Sequence, residues 1–125
     1  MLERAFAVSL ERSFMLSYRV DRERWSQLGF CEQMANIGAE VGRSIQAHRK
    51  GNEKRRDMAL MRAYDLFDAT QAQLAFARSP RLFEVQIAQS EFRKLFDEDA
   101  FDENARSLER YFNQFAIAAA NEKRS

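Results

Sequence analysis

Residues 25–48 read WSQLGFCEQMANIGAEVGRSIQAH, and this stretch decides the fold. Its apolar and small residues recur at steps of three and four, which is the spacing of one face of an α-helix. These residues are Trp25, Leu28, Cys31, Met34, Gly38, Val41 and Ile45. The pattern predicts one continuous helix over residues 22–49, capped by Asp21, with a length of about 40 Å.

The rest of the chain continues the helical pattern with few interruptions. Only four of the 125 residues are Gly and one is Pro, so turns must be rare and helices long. Gly51-Asn52 and Ser79-Pro80 are the strongest signals for the end of one helix and the start of the next. The apolar spacing around them predicts further helices over residues 53–78, 80–96 and 103–120, and a frayed tail over residues 121–125.

Such short connections make neighbouring helices antiparallel. We therefore expect an all-α protein, an up-down-up-down four-helix bundle in which residues 1–125 form a single domain. The N-terminal segment, residues 1–20, would be an extra element that packs on the bundle or reaches a neighbouring subunit. Its pattern favours a helix and is also compatible with a strand. Both a step of four and a strict alternation occur among Leu2, Phe6, Val8, Leu10 and Phe14.

The composition limits the classes to which the protein can belong. A net charge of +1 gives no bulk attraction to nucleic acid, so any such binding needs a local basic patch. No apolar run approaches the ~20 residues of a membrane span, and charged residues interrupt the N-terminal pattern that a signal peptide needs. We therefore expect a cytoplasmic protein with no membrane partner.

The sequence offers no cofactor or metal site. Cys31 is the single cysteine, so it forms no internal disulfide, and its place on the apolar face predicts a small buried residue. The Glu-x-x-His pairs of carboxylate-bridged metal bundles are absent from the sequence, as are a Gly-rich phosphate loop and a Gly-x-Ser-x-Gly elbow. We expect neither a cofactor nor a bound metal.

Two glycines interrupt the middle of the central helix. Gly in a helix interior costs about 1 kcal/mol relative to Ala, so Gly38 and Gly42 need a reason. Together with Ala35 they predict a place where another helix, or a bulky side chain, approaches the backbone closely. The approach could occur within one subunit or between subunits.

A polar edge runs beside the apolar face. Asn36, Glu40 and Arg43 are separated by steps of four and three, so they share one side of the helix, and Glu40 can pair with Arg43. This trio is either a partly solvated salt bridge or a network that contacts a partner. We predict partner or nucleic-acid binding through these three residues.

A basic cluster surrounds the turn after the central helix. It comprises His48, Arg49, Lys50, Lys54, Arg55 and Arg56. An up-down bundle places this turn at the same end as the acidic stretch 97–103. The two charged turns could neutralise each other within one subunit or meet between neighbours in a ring. The third interpretation is a local nucleic-acid-binding patch formed by Arg49, Lys50, Lys54, Arg55 and Arg56.

Two segments of the central helix resemble a known family. Gln27-Leu28 followed by Asn36-Ile37-Gly38-Ala39-Glu40-Val41-Gly42-Arg43 is similar to the Gln-Leu…Asn-Ile-Ala-Glu-Gly-x-Gly-Arg signature of the "four helix bundle protein" family, with one additional residue in the core. This family includes proteins encoded in intervening sequences of ribosomal RNA genes and accessory proteins of retroelement reverse transcriptases. The resemblance implies a homo-oligomeric ring, a pentamer as in that family, whose partners are a reverse transcriptase and nucleic acid.

A second resemblance implies a different function. Arg43-Ser44-Ile45-Gln46-Ala47-His48 fits the Arg-x4-His spacing of the HEPN endoribonucleases. In that resemblance Arg43 would position phosphate and His48 would act in RNA cleavage, roles that suit a guanidinium fork and an imidazole.

The sequence therefore leaves three hypotheses for function. The first is a non-enzymatic, oligomeric scaffold or accessory protein that binds a larger protein or a ribonucleoprotein. The alternatives are a HEPN-like ribonuclease that uses Arg43 and His48, and a regulatory partner that completes its folding on a target.

Overall fold

The computed structural model describes residues 19–97 and 99–124. Over these residues the protein is all-α, as predicted, and contains no strand. The helices are α1 (Arg22–Ser26), α2 (Phe30–Arg49), α3 (Glu53–Phe76), α4 (Arg81–Lys94) and α5 (Phe101–Arg124). The predictions for residues 1–18 lie outside the described residues.

Helix α2 lies at the centre of the bundle. It packs extensively against α3 and α5, while α4 packs on α3 and meets α5 over a short stretch only. One hydrophobic cluster unites the helices, and most of the predicted apolar face of the central helix lies in it or packs against it. The largest side chains that it fully buries include Phe67, Phe92, Met34, Ile37 and Ile45. None of the described helices is long and apolar enough to cross a membrane.

The predicted continuous helix over residues 22–49 is wrong in one place. The chain leaves the helical path between Ser26 and Phe30, and Gly29 adopts an extended conformation as the N-cap of α2. The break lets the Trp25 indole reach α3, where its Nε1 donates to Thr70 Oγ1 over 2.9 Å. The Trp25 carbonyl accepts from Leu28 N (3.1 Å) and from Gln33 Nε2 (2.9 Å), so a turn bond and a buried glutamine replace the missing helical bond.

The turns follow the predicted punctuation. Asp21 caps α1 by accepting from the backbone N–H groups of its first turn. Gly51 has a φ of 69°, the left-handed conformation that ends α2, and Asn52 Oδ1 accepts from Arg55 N at the start of α3. Before α4, Ser79 Oγ accepts from Arg81 N (3.2 Å).

Helices α3 to α5 differ from their predicted bounds at the ends. Helix α3 stops at Phe76 rather than 78, because Arg78 adopts a left-handed φ of 52°. Helix α4 ends at Lys94. Helix α5 runs through most of the predicted frayed tail, residues 121–125, and Lys123 Nζ lies 3.4 Å from Glu32 Oε1 of α2. The described part of this tail is therefore helical, although its sequence alone suggests fraying.

Candidate functional site

One carboxylate joins the two central helices at the protein surface. Glu40 on α2 and Arg62 on α3 stand eleven residues before and after Gly51, so the hairpin brings them level. Glu40 Oε2 accepts from Arg62 Nε (2.9 Å), and Oε1 accepts from Arg43 Nη1 (2.5 Å). The Glu40 side chain is only 12% exposed. Two guanidinium groups are therefore oriented by a single, largely buried acid.

We call Glu40 and its two arginines, Arg43 and Arg62, the clamp around Glu40. Beside this clamp lies a groove of about 700 Å³. Small and apolar residues form its floor, and long cationic side chains form much of its wall. The floor residues are Ala39, Gly42, Ala47 and Met58. The cationic residues are Arg43, Lys50, Arg55 and Arg62. We call this feature the cationic groove.

Because Gly42 has no side chain, it leaves open space at the floor of the cationic groove. A Cβ added at Gly42 would meet no atom within 4 Å, so the absent side chain leaves open space rather than room for a packed neighbour. The predicted close approach at Gly42 is therefore not made within the described part of this chain, and an approach between subunits stays a prediction. The same prediction is confirmed for Gly38, where an added Cβ would stand 2.7 Å from Phe112 Cβ.

Positive charge exceeds negative charge in the cationic groove, although the adjacent Glu40 pairs with Arg43 and Arg62. Among the described residues that line the groove, Glu109 is the one carboxylate, and this acid also faces the guanidinium of Arg49 at 3.5 Å. Within the described part of the chain, no ion pair engages Lys50, Lys54 or Arg55. Their charges are therefore available to an anionic ligand.

The structure brings together only part of the predicted polar edge. Asn36 is exposed, and its Nδ2 donates back to the carbonyl of Glu32 over 2.8 Å. It does not line the cationic groove and does not join the clamp around Glu40. Arg62, rather than Asn36, is the third residue bonded in the clamp around Glu40.

The predicted basic cluster divides between two sides of the turn. Lys50 and Arg55 line the cationic groove, whereas Arg49 faces α5, with its Nε 3.7 Å from Asp102 Oδ1. This contact confirms that the basic and acidic turns lie close together within one chain. Arg56 points away from the groove, and its Nε lies 3.1 Å from Asp57 Oδ1.

The His48 ring packs against two phenylalanine rings and does not lie on the solvent side of the helix. Its ring centroid is 5.1 Å from that of Phe96 and 4.5 Å from that of Phe101. Arg56 Nη1 lies 3.2 Å from His48 Nδ1. Because a guanidinium can only donate, Nδ1 is the acceptor in this contact.

The Arg-x4-His residues are not assembled into one site. Five helical residues place Arg43 and His48 about 140° apart around α2. Arg43 lines the cationic groove, while His48 faces α5 and the turn before it. The ribonuclease hypothesis stays a prediction, without a shared pocket for its two residues.

Cys31 is half-buried rather than fully buried. Burial and the neighbouring Glu122 raise the pKa of its thiol, which disfavours the reactive thiolate. In the part of the chain that the structure covers, no group of three or more His, Cys, Asp or Glu residues could hold a metal ion.

Arg62 and Met58 are groove residues that the sequence reasoning missed. A usable signal exists, because residues equidistant from the turn of a helical hairpin lie level with each other. Applied around Gly51, this rule pairs Glu40 with Arg62.

Comparison with known proteins yields no match among protein families, curated proteins or solved structures. The geometry of the cationic groove is therefore the main support for a function.

Proposed function

We propose that this protein is a cytoplasmic, non-enzymatic accessory subunit that binds the phosphate backbone of a nucleic acid through the cationic groove. One observation carries the proposal: the described residues that line this single groove include four cationic side chains and one carboxylate. Phosphate contacts from Arg and Lys supply most of the affinity in binding that does not depend on sequence.

The arrangement of the cations suits a run of phosphates rather than a single one. Arg43 and Lys50 are seven residues apart on α2, which corresponds to about 10 Å along the helix. Lys54, in the first turn of α3, extends the positive surface beyond the groove. Several phosphates of one strand can be reached along such a track.

The side chains of the cationic groove favour recognition of the backbone over recognition of the bases. Stacking on aromatic rings is a common way to hold unpaired bases, and no aromatic residue is among the described residues that line the groove. Arg43 and Arg62 are held by Glu40, so their forked donors are preorganised for phosphate oxygens. We expect weak dependence on base sequence and strong dependence on salt.

The binding experiment uses a fluorescein-labelled RNA of about 20 nucleotides and fluorescence anisotropy across a salt series. The double substitution Lys50→Gln/Arg55→Gln should lower affinity at low salt and reduce the salt slope by about two units, about one for each lost phosphate contact. Both side chains are exposed and unpaired, so the fold should be unaffected.

A matched control is Arg22→Gln/Arg24→Gln, which removes two exposed cations from α1, outside the cationic groove. It should leave the salt slope unchanged. An equal loss in both variants would indicate non-specific attraction to the whole surface. No binding at low salt, or binding that the double substitution does not change, would refute the proposal.

Oligomerisation and a reverse-transcriptase partner are supported by the resemblance of the Asn36–Arg43 stretch to the bundle family. We propose a homo-oligomer on that basis. Light scattering in solution measures the mass directly, and a monomer at micromolar concentration would contradict the ring.

The ribonuclease alternative has its own test. Incubation of the same labelled RNA with the protein, followed by gel electrophoresis, reports cleavage. Activity that His48→Ala abolishes would favour the HEPN-like hypothesis over an accessory subunit. We expect no cleavage, because Arg43 and His48 face different surfaces.

A further inference from the structure

A second groove, of about 490 Å³, lies between α4 and α5. Its inner surface is apolar, with Ala88, Leu95 and Leu108 buried. On its α4 side, Phe83 and Ile87 are 69% and 47% exposed, one helical turn apart. Large apolar side chains left exposed next to each other are typical of an interaction site. We call this feature the apolar groove.

Two of the described residues that line the apolar groove are charged, and both are acidic. Glu84 Oε1 accepts from the Tyr111 hydroxyl over 2.8 Å, which fixes one carboxylate at the rim. Burial and Glu84 raise the pKa of Tyr111, so the phenol stays protonated and keeps donating. Glu91, two turns further along α4, is exposed, and no described residue forms an ion pair with it. Neither Lys nor Arg is among the described lining residues.

The apolar groove offers no backbone groups for pairing. Both walls are helices whose backbone N–H and C=O groups bond within the helix, so an extended peptide would leave its own backbone polar groups without partners. A helix has no such need because its backbone bonds are internal. Laying a helix into a groove is a common mode of protein recognition.

We propose that the apolar groove binds a cationic amphipathic helix of a protein partner. The apolar stripe of that helix contacts Phe83, Ile87 and Leu108, and its Lys or Arg residues face Glu84 and Glu91. Helix α4 is about 21 Å long, so the groove accommodates a partner helix of about four turns. No described residue lines both this groove and the cationic groove, so the protein can join a protein partner to a nucleic acid.

The test uses the full chain and two labelled synthetic peptides of about 16 residues. One carries Leu at helical spacing on one face and Lys on the other; the second has Glu in place of every Lys. Fluorescence anisotropy should show that the Lys peptide binds about tenfold more tightly or better. Glu91→Lys should reduce that preference to about threefold or less, because it replaces an unpaired rim acid by a cation.

A matched pair of variants locates the binding site. Ile87→Asp should weaken binding of the Lys peptide by about tenfold, whereas Ile117→Asp should change it by less than about twofold. Ile117 is 56% exposed on α5 and does not line the apolar groove, so it is similar to Ile87 in exposure but not in place. The Glu91→Lys result decides the question if Ile87→Asp does not fold.

Four outcomes would overturn the proposal. The first is that both peptides bind with equal affinity. The second is that Ile87→Asp leaves binding of the Lys peptide unchanged. A fall in mass by light scattering on Ile87→Asp would assign the groove to a second copy of the chain. Peptide binding that appears only after Phe6→Asp/Leu10→Asp would assign it to residues 1–18. If the protein fails to bind RNA in the salt series, it should still bind the Lys peptide. Either proposal can therefore fail without the other.

Discussion

The Phe112 side chain of α5 packs directly on the backbone of α2 at Gly38. A Cβ at position 38 would stand 2.7 Å from Phe112 Cβ, closer than such atoms approach in proteins. Four residues later on the same helix, Gly42 has no neighbouring atom within 4 Å of the equivalent point. Two glycines in one helix therefore have unrelated causes: one is required by packing and the other leaves a groove open.

This contrast predicts opposite effects of one substitution. Gly38→Ala should lower the free energy of unfolding by about 1 kcal/mol or more, because overpacking against a Cβ atom outweighs the gain in helix propensity. Gly42→Ala should raise it by about 0.5–1 kcal/mol, because only the propensity gain remains. Urea unfolding of the two variants measures both values. Effects of the same sign would contradict this account of the two sites.

The clamp around Glu40 predicts two unequal couplings. Arg62 is 31% exposed and Arg43 is 61% exposed, so solvent screens the second pair more strongly. Double-mutant cycles with Glu40→Gln should give a coupling of about 0.5–2 kcal/mol to Arg62→Gln and about 0.2–0.5 kcal/mol to Arg43→Gln. A larger coupling to Arg43 would show that the bond between Glu40 on α2 and Arg62 on α3 is not the stronger of the two.

The buried hydroxyl of Thr70 predicts a cost for an isosteric change. Thr70 Oγ1 accepts from Trp25 Nε1 (2.9 Å) and donates to Gln33 Oε1 (3.0 Å), and the residue is fully buried. Thr70→Val should destabilise the protein by about 1–3 kcal/mol because it leaves both groups without a partner. Thr70→Ser keeps the hydroxyl and should cost about 1 kcal/mol for the lost methyl group. Chemical denaturation of Thr70→Val and Thr70→Ser measures both free energies of unfolding and checks that the Val variant is the less stable.

The raised pKa of Tyr111 predicts a loss of stability at alkaline pH. Burial and the hydrogen bond to Glu84 favour the protonated phenol in the folded state. The resulting stabilisation is fully present below about pH 10, the pKa of an unfolded tyrosine, and is lost as pH rises through the folded value. The stability difference between the protein and Tyr111→Phe should therefore shrink above that pH. A difference that grows with pH would contradict the assignment.

Local periodicity accounts for most of the fold. The apolar steps of three and four depend on neighbours within one helix, so the existence of the long helices and their inward faces could be predicted. Gly51-Asn52 and Asp21 are likewise local signals, because a left-handed turn and a capping side chain act within a few residues. The all-α bundle follows from these signals and the short connections.

The break before α2 and the ordered end of α5 could not be predicted in this way. At the break the Trp25 indole bonds to Thr70, and in the helical tail Lys123 lies within ion-pair distance of Glu32. Both are contacts between residues far apart in sequence, and helix propensity carries no information about them. Arg62 joins the site for the same reason, because the hairpin brings it level with Glu40.

For this protein the sequence by itself determined where helices form and which face of each is apolar, because those properties depend on interactions within a helical turn or two. It also placed Glu40 and Arg43 on one edge of α2. Only the tertiary structure decided that Gly42 opens a groove whereas Gly38 closes a contact, and that Arg43 and His48 face different surfaces. These outcomes depend on which helix lies opposite each residue, which periodicity along the chain does not specify.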